Sequence, residues 1–207
     1  MDATLLDALP PLHRLAMAYA PAPLKRRWLG YLALDTRLAG VVYQLREPVL
    51  AQLRLAWWRD RLGEGAARTA KGEPLLAALA QWPDGGALLL PLVDAWELAL
   101  DPENPAVAQD FAASRARASK AFAGSLGSDV ALAGELTRRW SHAEMALWRG
   151  TGAETGVEAR MSAIPRPLRP LLVLERVTAM AARKGDASAL TSPGALLLAM
   201  RAGLIGR

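Results

Sequence analysis

The 207-residue chain contains no cysteine, which excludes a disulfide framework, a thiolate nucleophile and a Cys-ligated zinc site. Histidine is almost as scarce, with only His13 and His142. Neither stands near a Gly-x-Ser-x-Gly elbow or a phosphate-binding loop, because the sequence has neither motif, so both are expected to be structural or exposed. Long apolar runs are also missing. The longest, such as Ala87-Leu88-Leu89-Leu90-Pro91-Leu92-Val93, falls far below the roughly 20 residues that span a bilayer. The first twenty residues carry Asp2, Asp7 and the break Pro10-Pro11, which suits neither an export signal nor a membrane anchor, and a cytoplasmic location is expected.

Lysine is rare as well. Of 25 basic residues only Lys25, Lys71, Lys120 and Lys184 are lysine, which leaves 21 arginines, and the formal net charge is +5. The planar fork of arginine suits phosphates and carboxylates, so the excess fits an anionic ligand, an acidic protein partner or peripheral contact with an anionic membrane. It fits equally well the codon usage of a GC-rich bacterial genome, given the abundance of Ala, Gly and Pro. The densest basic stretch, Ser114-Arg115-Ala116-Arg117-Ala118-Ser119-Lys120, has no interleaved aromatics and no reader motif, so no nucleic-acid partner is expected.

What the chain has in quantity is helical periodicity. The 52% hydrophobic content is enough for one core of ordinary size, and the expected architecture is all-α, a single helical domain over 1–207. Helices are predicted over 11–19, 24–45, 48–62, 73–82, 87–100, 105–126, 129–148, 170–184 and 193–204, punctuated by Pro and Gly. In the second, Leu24, Trp28, Tyr31, Leu38, Val42 and Leu45 share one face. In the third, Leu50, Leu53 and Trp57 are assigned to the buried face. Arg54, Trp58 and Arg61 are assigned to a neighbouring stripe turned toward a cavity or solvent.

That third helix, Glu47-Pro48-Val49-Leu50-Ala51-Gln52-Leu53-Arg54-Leu55-Ala56-Trp57-Trp58-Arg59-Asp60-Arg61-Leu62, resembles the EP-hxxhRLxWWRxxL signature of the squalene/phytoene synthase family, in particular its short bacterial and mitochondrial branch. Upstream, Tyr31-Leu32-Ala33-Leu34-Asp35-Thr36-Arg37-Leu38-Ala39-Gly40-Val41-Val42-Tyr43-Gln44 is similar to the helix that carries the first metal motif in true synthases. The resemblance implies an isoprenoid-synthase-like fold, with Arg37 matching the arginine that contacts substrate diphosphate. Arg37, Arg54, Trp58 and Arg61 are therefore the candidates for binding an anion or diphosphate.

The same resemblance sets Gly40 and Gln44 where two aspartates belong. No two aspartates of the chain stand four apart, so neither Asp-x-x-x-Asp motif of the family exists, and no Mg²⁺ or other cofactor is expected. A weak metal alternative is Asp94, Glu97 and Asp101, which share one face of the 87–100 helix beside the apolar stripe of Val93, Trp96 and Leu100. The pairs Asp60/Glu64 and Glu154/Glu158 read as surface charge. The expected function is that of a pseudoenzyme binding a protein partner or an isoprenoid-like lipid, as the family's complex I assembly-factor branch implies. The competing reading is a prenyl-diphosphate transferase for head-to-head isoprenoid condensation. It would use Mg²⁺ if other acids held it, or Arg37, Arg54 and Lys25 or Arg26 in place of part of its charge.

Overall fold

The computed structural model describes residues 3–44, 47–65, 72–101, 103–104, 106–151 and 163–207. Among these the chain is helical and carries no strand. The helices are α1 (Ala3–Asp7), α2 (Pro11–Ala18), α3 (Lys25–Gln44), α4 (Pro48–Gly63), α5 (Pro74–Leu79), α6 (Leu90–Leu98), α7 (Val107–Ser125), α8 (Val130–Arg149), α9 (Arg169–Lys184) and α10 (Pro193–Ile205). Leu45, Glu154 and Glu158 lie outside the described residues.

Their starts follow from local chemistry. Proline stands in the first turn of α2, α4, α5, α6, α9 and α10, where its missing N–H is no loss. Asp129 caps α8 by accepting from the Leu132 N–H at 2.9 Å, and Ser192 caps α10 by accepting from Ala195 at 3.2 Å. Two expected helices are shorter than predicted. The 73–82 segment stops at Leu79 because Pro83 disfavours the helical conformation at the residue before it, and the chain turns. The 87–100 segment opens as a 3₁₀ turn at Ala87–Leu89 before α6 begins.

Helix α7 lies along α8, α8 along α9 and α9 along α10, while α3 runs through the bundle against α6, α4 and α5. One apolar core joins them. At one end Trp28, Tyr31, Trp82 and Phe122 interlock, with Tyr31 and Phe122 stacked at 4.8 Å. At the other, Trp96, Phe111 and Trp140 surround a charged group described below. The predicted face of α3 holds for Trp28, Tyr31 and Leu38, all fully buried, with Leu24 and Val42 half-buried.

The faces of α4 are the reverse of those predicted. Its buried residues are Ala51, Leu55, Trp58 and Leu62, spaced i, i+4, i+7, i+11, whereas Leu50 and Leu53 are 48% and 63% exposed. Trp57 is half-buried against the Trp58 ring edge, with Arg54 and Arg61 each over its face at 5.5 and 5.6 Å. Two apolar stripes run along α4, and the one with small Ala51 and wide Trp58 fits the close approach of α6 and α3. Trp58→Ala is therefore expected to cost about 3–5 kcal/mol in chemical denaturation, through lost transfer energy and a cavity. Trp57→Ala should cost about 1 kcal/mol, the scale of an exposed cation–π contact. Equal losses, or the larger loss at Trp57, would contradict this orientation.

Candidate functional site

Helix α3 carries a charge on each side of its middle turns. On the inner side Asp35 is 1% exposed, in phase with Trp28, Tyr31 and Leu38. It faces Arg115 of α7, which is fully buried and forked between two acids: Nη2 donates to Asp35 and Nη1 to Glu144 of α8. The Trp96 indole N–H donates to the other Asp35 oxygen at 2.9 Å, and the guanidinium lies 3.5 Å from the Trp140 ring centre. Burial alone would lower the Arg115 pKa, but the adjacent carboxylates of Asp35 and Glu144 outweigh it and hold the group charged. Burial, aided by the negative charge of Asp35, pushes Glu144 up against the opposing pull of Arg115. One turn along α7, Ser119 meets the Tyr31 hydroxyl at 2.6 Å and accepts from Thr137 at 2.7 Å.

On the outer side of the same turns, Thr36, Arg37, Gly40, Val41 and Gln44 line a groove of about 430 Å³. Arg54 of α4 joins them, and Leu5, Leu9, Ala33 and Leu75 make its apolar wall. Two of the four predicted anion-binding residues, Arg37 and Arg54, thus line one concave surface. Arg37 pairs with Glu73 at 3.3 Å, an exposed pair of the kind that contributes little. Arg54 has no carboxylate partner among the described residues and rests only on Trp57. The other two candidates are not part of the groove. Trp58 is 1% exposed in the core, which corrects its assignment to a ligand-facing stripe, and Arg61 is engaged with Glu64 at 3.6 Å and with Trp57. Arg26 lines a separate hollow with Arg27 and Trp82.

No family profile, no curated protein and no solved structure matches this chain.

The residues present do not fit the Mg²⁺ that the competing enzymatic reading would use. Among the described residues no carboxylate lines the groove, and Gly40 and Gln44 stand at the two positions concerned. Of the weak alternative acids, Asp94 and Glu97 hold the Arg59 guanidinium between them, at 2.5 Å from Asp94 Oδ1 and 2.9 Å from Glu97 Oε2, so a cation is already supplied from α4. Asp101 stands beyond the end of α6 and is exposed. Among the described residues no three His, Asp or Glu side chains gather into a metal-binding group.

Behind the groove, His13 of α2 is 8% exposed, with Nδ1 at 3.0 Å from the Thr36 hydroxyl and its ring edge-on to Trp140 at 5.7 Å. Burial pushes its pKa down to about 4, with Asp35 opposing and Arg115 assisting. His13 is therefore neutral in the fold while the unfolded chain takes up a proton below its ordinary value of 6.5. Stability tied to this residue is present above pH 6.5 and is lost as pH falls from there toward 4. Glu144, held up, acts in the opposite direction and is common to wild type and variant. Between pH 7 and 5 the wild type should lose about 2 kcal/mol more stability than His13→Gln in urea titrations. Parallel losses would contradict the burial of a neutral imidazole.

Proposed function

We propose that this chain is a non-catalytic, squalene/phytoene synthase-like protein, isoprenoid-synthase-like in fold, that holds an isoprenoid-like phosphate or diphosphate in the α3–α4 groove. The observation that carries this reading is the combination of Arg37 and Arg54 with an apolar wall and a lining that, among the described residues, holds no carboxylate. Each guanidinium offers a planar fork of donors that matches phosphate oxygens, and Arg54 has no acid to give up before it binds. Glu73 holds Arg37 through an exposed pair that a phosphate can replace. Leu50, one turn before Arg54 on the same face, and Leu53 beside it are exposed, so apolar surface continues past the mouth for a prenyl chain.

Of the two ligands that the resemblance implies, the groove favours lipid over protein, since about 430 Å³ of concave space suits one small molecule. Turnover is the less favoured reading. A departing diphosphate needs its charge neutralised in the transition state, and every 1.36 kcal/mol of missing stabilisation lowers the rate tenfold. Two arginines provide binding, while Arg26, invoked for the enzymatic alternative, belongs to the other hollow.

Calorimetric titration with farnesyl diphosphate in the absence of metal is expected to give saturable binding. Arg37→Gln and Arg54→Gln should each weaken it by about tenfold or more, the worth of a charge-assisted hydrogen bond. Incubation with farnesyl or geranylgeranyl diphosphate, with and without Mg²⁺, should yield no squalene or phytoene. Metal-dependent head-to-head product would sink the non-catalytic reading, and unchanged affinity in both variants would sink the groove.

A further inference from the structure

Helix α10 is turned inside out for a helix on a protein surface. Its inward face is made of small residues, Ala195, Ala199, Ala202 and Gly203, all buried. Its outward face carries Leu196, Leu197, Met200, Leu204 and Ile205, between 42% and 68% exposed. At helical spacing Leu196, Met200, Leu204 and Leu197 form one continuous stripe with Arg201 on its flank.

This orientation is locked. A Cβ at Gly203 would lie 2.2 Å from the Tyr19 ring, so the α10 backbone rests directly on the residue that ends α2. Arg169 donates to the carbonyls of Gly203 at 3.0 Å and Leu204 at 2.7 Å, and the Gly206 carbonyl accepts from the Ile164 N–H at 2.9 Å. There is no room to turn the large side chains inward. Contiguous exposed apolar surface of this kind on a folded protein marks an interaction site.

The charge of the segment that carries the stripe points to its occupant. Arg166, Arg183, Lys184, Arg201 and Arg207 are exposed in the segment 163–207, against the single exposed acid Asp186, because Glu175 is buried. A second copy would bring the same net positive segment against it, like charge against like. We infer that α10 is an interfacial helix that lies flat on an anionic lipid bilayer. Its 13 residues make a rod of about 20 Å, too short to cross, and no helix among the described residues is long and apolar enough to do so. Leu196, Leu197, Met200 and Leu204 enter the boundary between headgroups and acyl chains, while Arg201 and its basic neighbours meet lipid phosphates.

Co-sedimentation with vesicles tests this independently of the groove. The chain should pellet with mixed phosphatidylglycerol/phosphatidylcholine vesicles, far less with phosphatidylcholine alone, and less as salt is raised. The double variant Leu197→Gln/Leu204→Gln should lower partitioning by at least about tenfold with an unchanged melting midpoint, since both side chains already face solvent. Arg201→Gln should give a smaller loss and a shallower salt dependence. Equal binding to both vesicle types, undiminished binding of the double variant, or no vesicle binding at all overturns the inference. If vesicle binding is absent, sedimentation equilibrium names the occupant: self-association abolished by the double variant assigns the face to a second copy, and its absence leaves an acidic protein partner.

Discussion

A guanidinium cannot shed its proton inside a protein, and the arrangement of this bundle follows from satisfying one that is fully buried. Arg115 comes from α7, Asp35 from α3 and Glu144 from α8, and Trp96 of α6 ties down the remaining Asp35 oxygen. Deleting one partner of such a buried group typically costs about 3–5 kcal/mol, because the other charge is left uncompensated. A wholly apolar replacement can be as stable, so the contribution of the cluster is chiefly to arrangement. Four helices have to meet in one relative placement for every charge to be paired, and leucines alone would impose no such condition.

The cluster also decides where a ligand can go. Arg115, Trp96, Phe111 and Trp140 occupy the space between α3, α6, α7 and α8, and the groove that holds Arg37 and Arg54 is on the far side of α3. Consecutive residues divide the work: Asp35 points into the cluster, while Thr36 and Arg37 line the groove. Thr36 links the two through His13, whose ring edge touches Trp140. An anion at Arg37 and Arg54 would therefore bind outside the Arg115 cluster, on the opposite side of α3.

Helix spans were legible in the sequence because Pro, Gly and capping Asp and Ser mark their ends, as at Asp129, Gly150 and Ser192. The inward face of α3 was legible too, since one apolar stripe dominates it. Helix α4 was not, because Leu50-Leu53-Trp57 and Ala51-Leu55-Trp58-Leu62 are both valid apolar stripes, and only the neighbours α3 and α6 choose between them. Arg115 was hidden in the basic stretch 114–120, which in the sequence raised only the question of a nucleic-acid contact. Its signal was phase: Phe111, Arg115, Ala118 and Phe122 are spaced i, i+4, i+7, i+11, so the charge sits in the middle of an apolar stripe. Asp35 among Trp28, Tyr31 and Leu38 gives the matching sign on α3. For the groove, the sequence supplied Arg37 and Arg54, while their meeting across α3 and α4 with Leu5, Leu9 and Leu75 depends on tertiary contacts that no local pattern encodes.

The account rests on a packed Arg115 cluster and a ligand confined to the outer groove, and NMR titration with farnesyl monophosphate addresses both at once. Signals from the Arg37 and Arg54 side chains and from the amides of Gly40, Val41 and Leu75 should move in a saturable way, while the side-chain signals of Arg115 and of the Trp96 and Trp140 indoles stay fixed. Movement of Arg115 and Trp140 with Arg37 and Arg54 silent would mean that the ligand enters the bundle and would contradict the account.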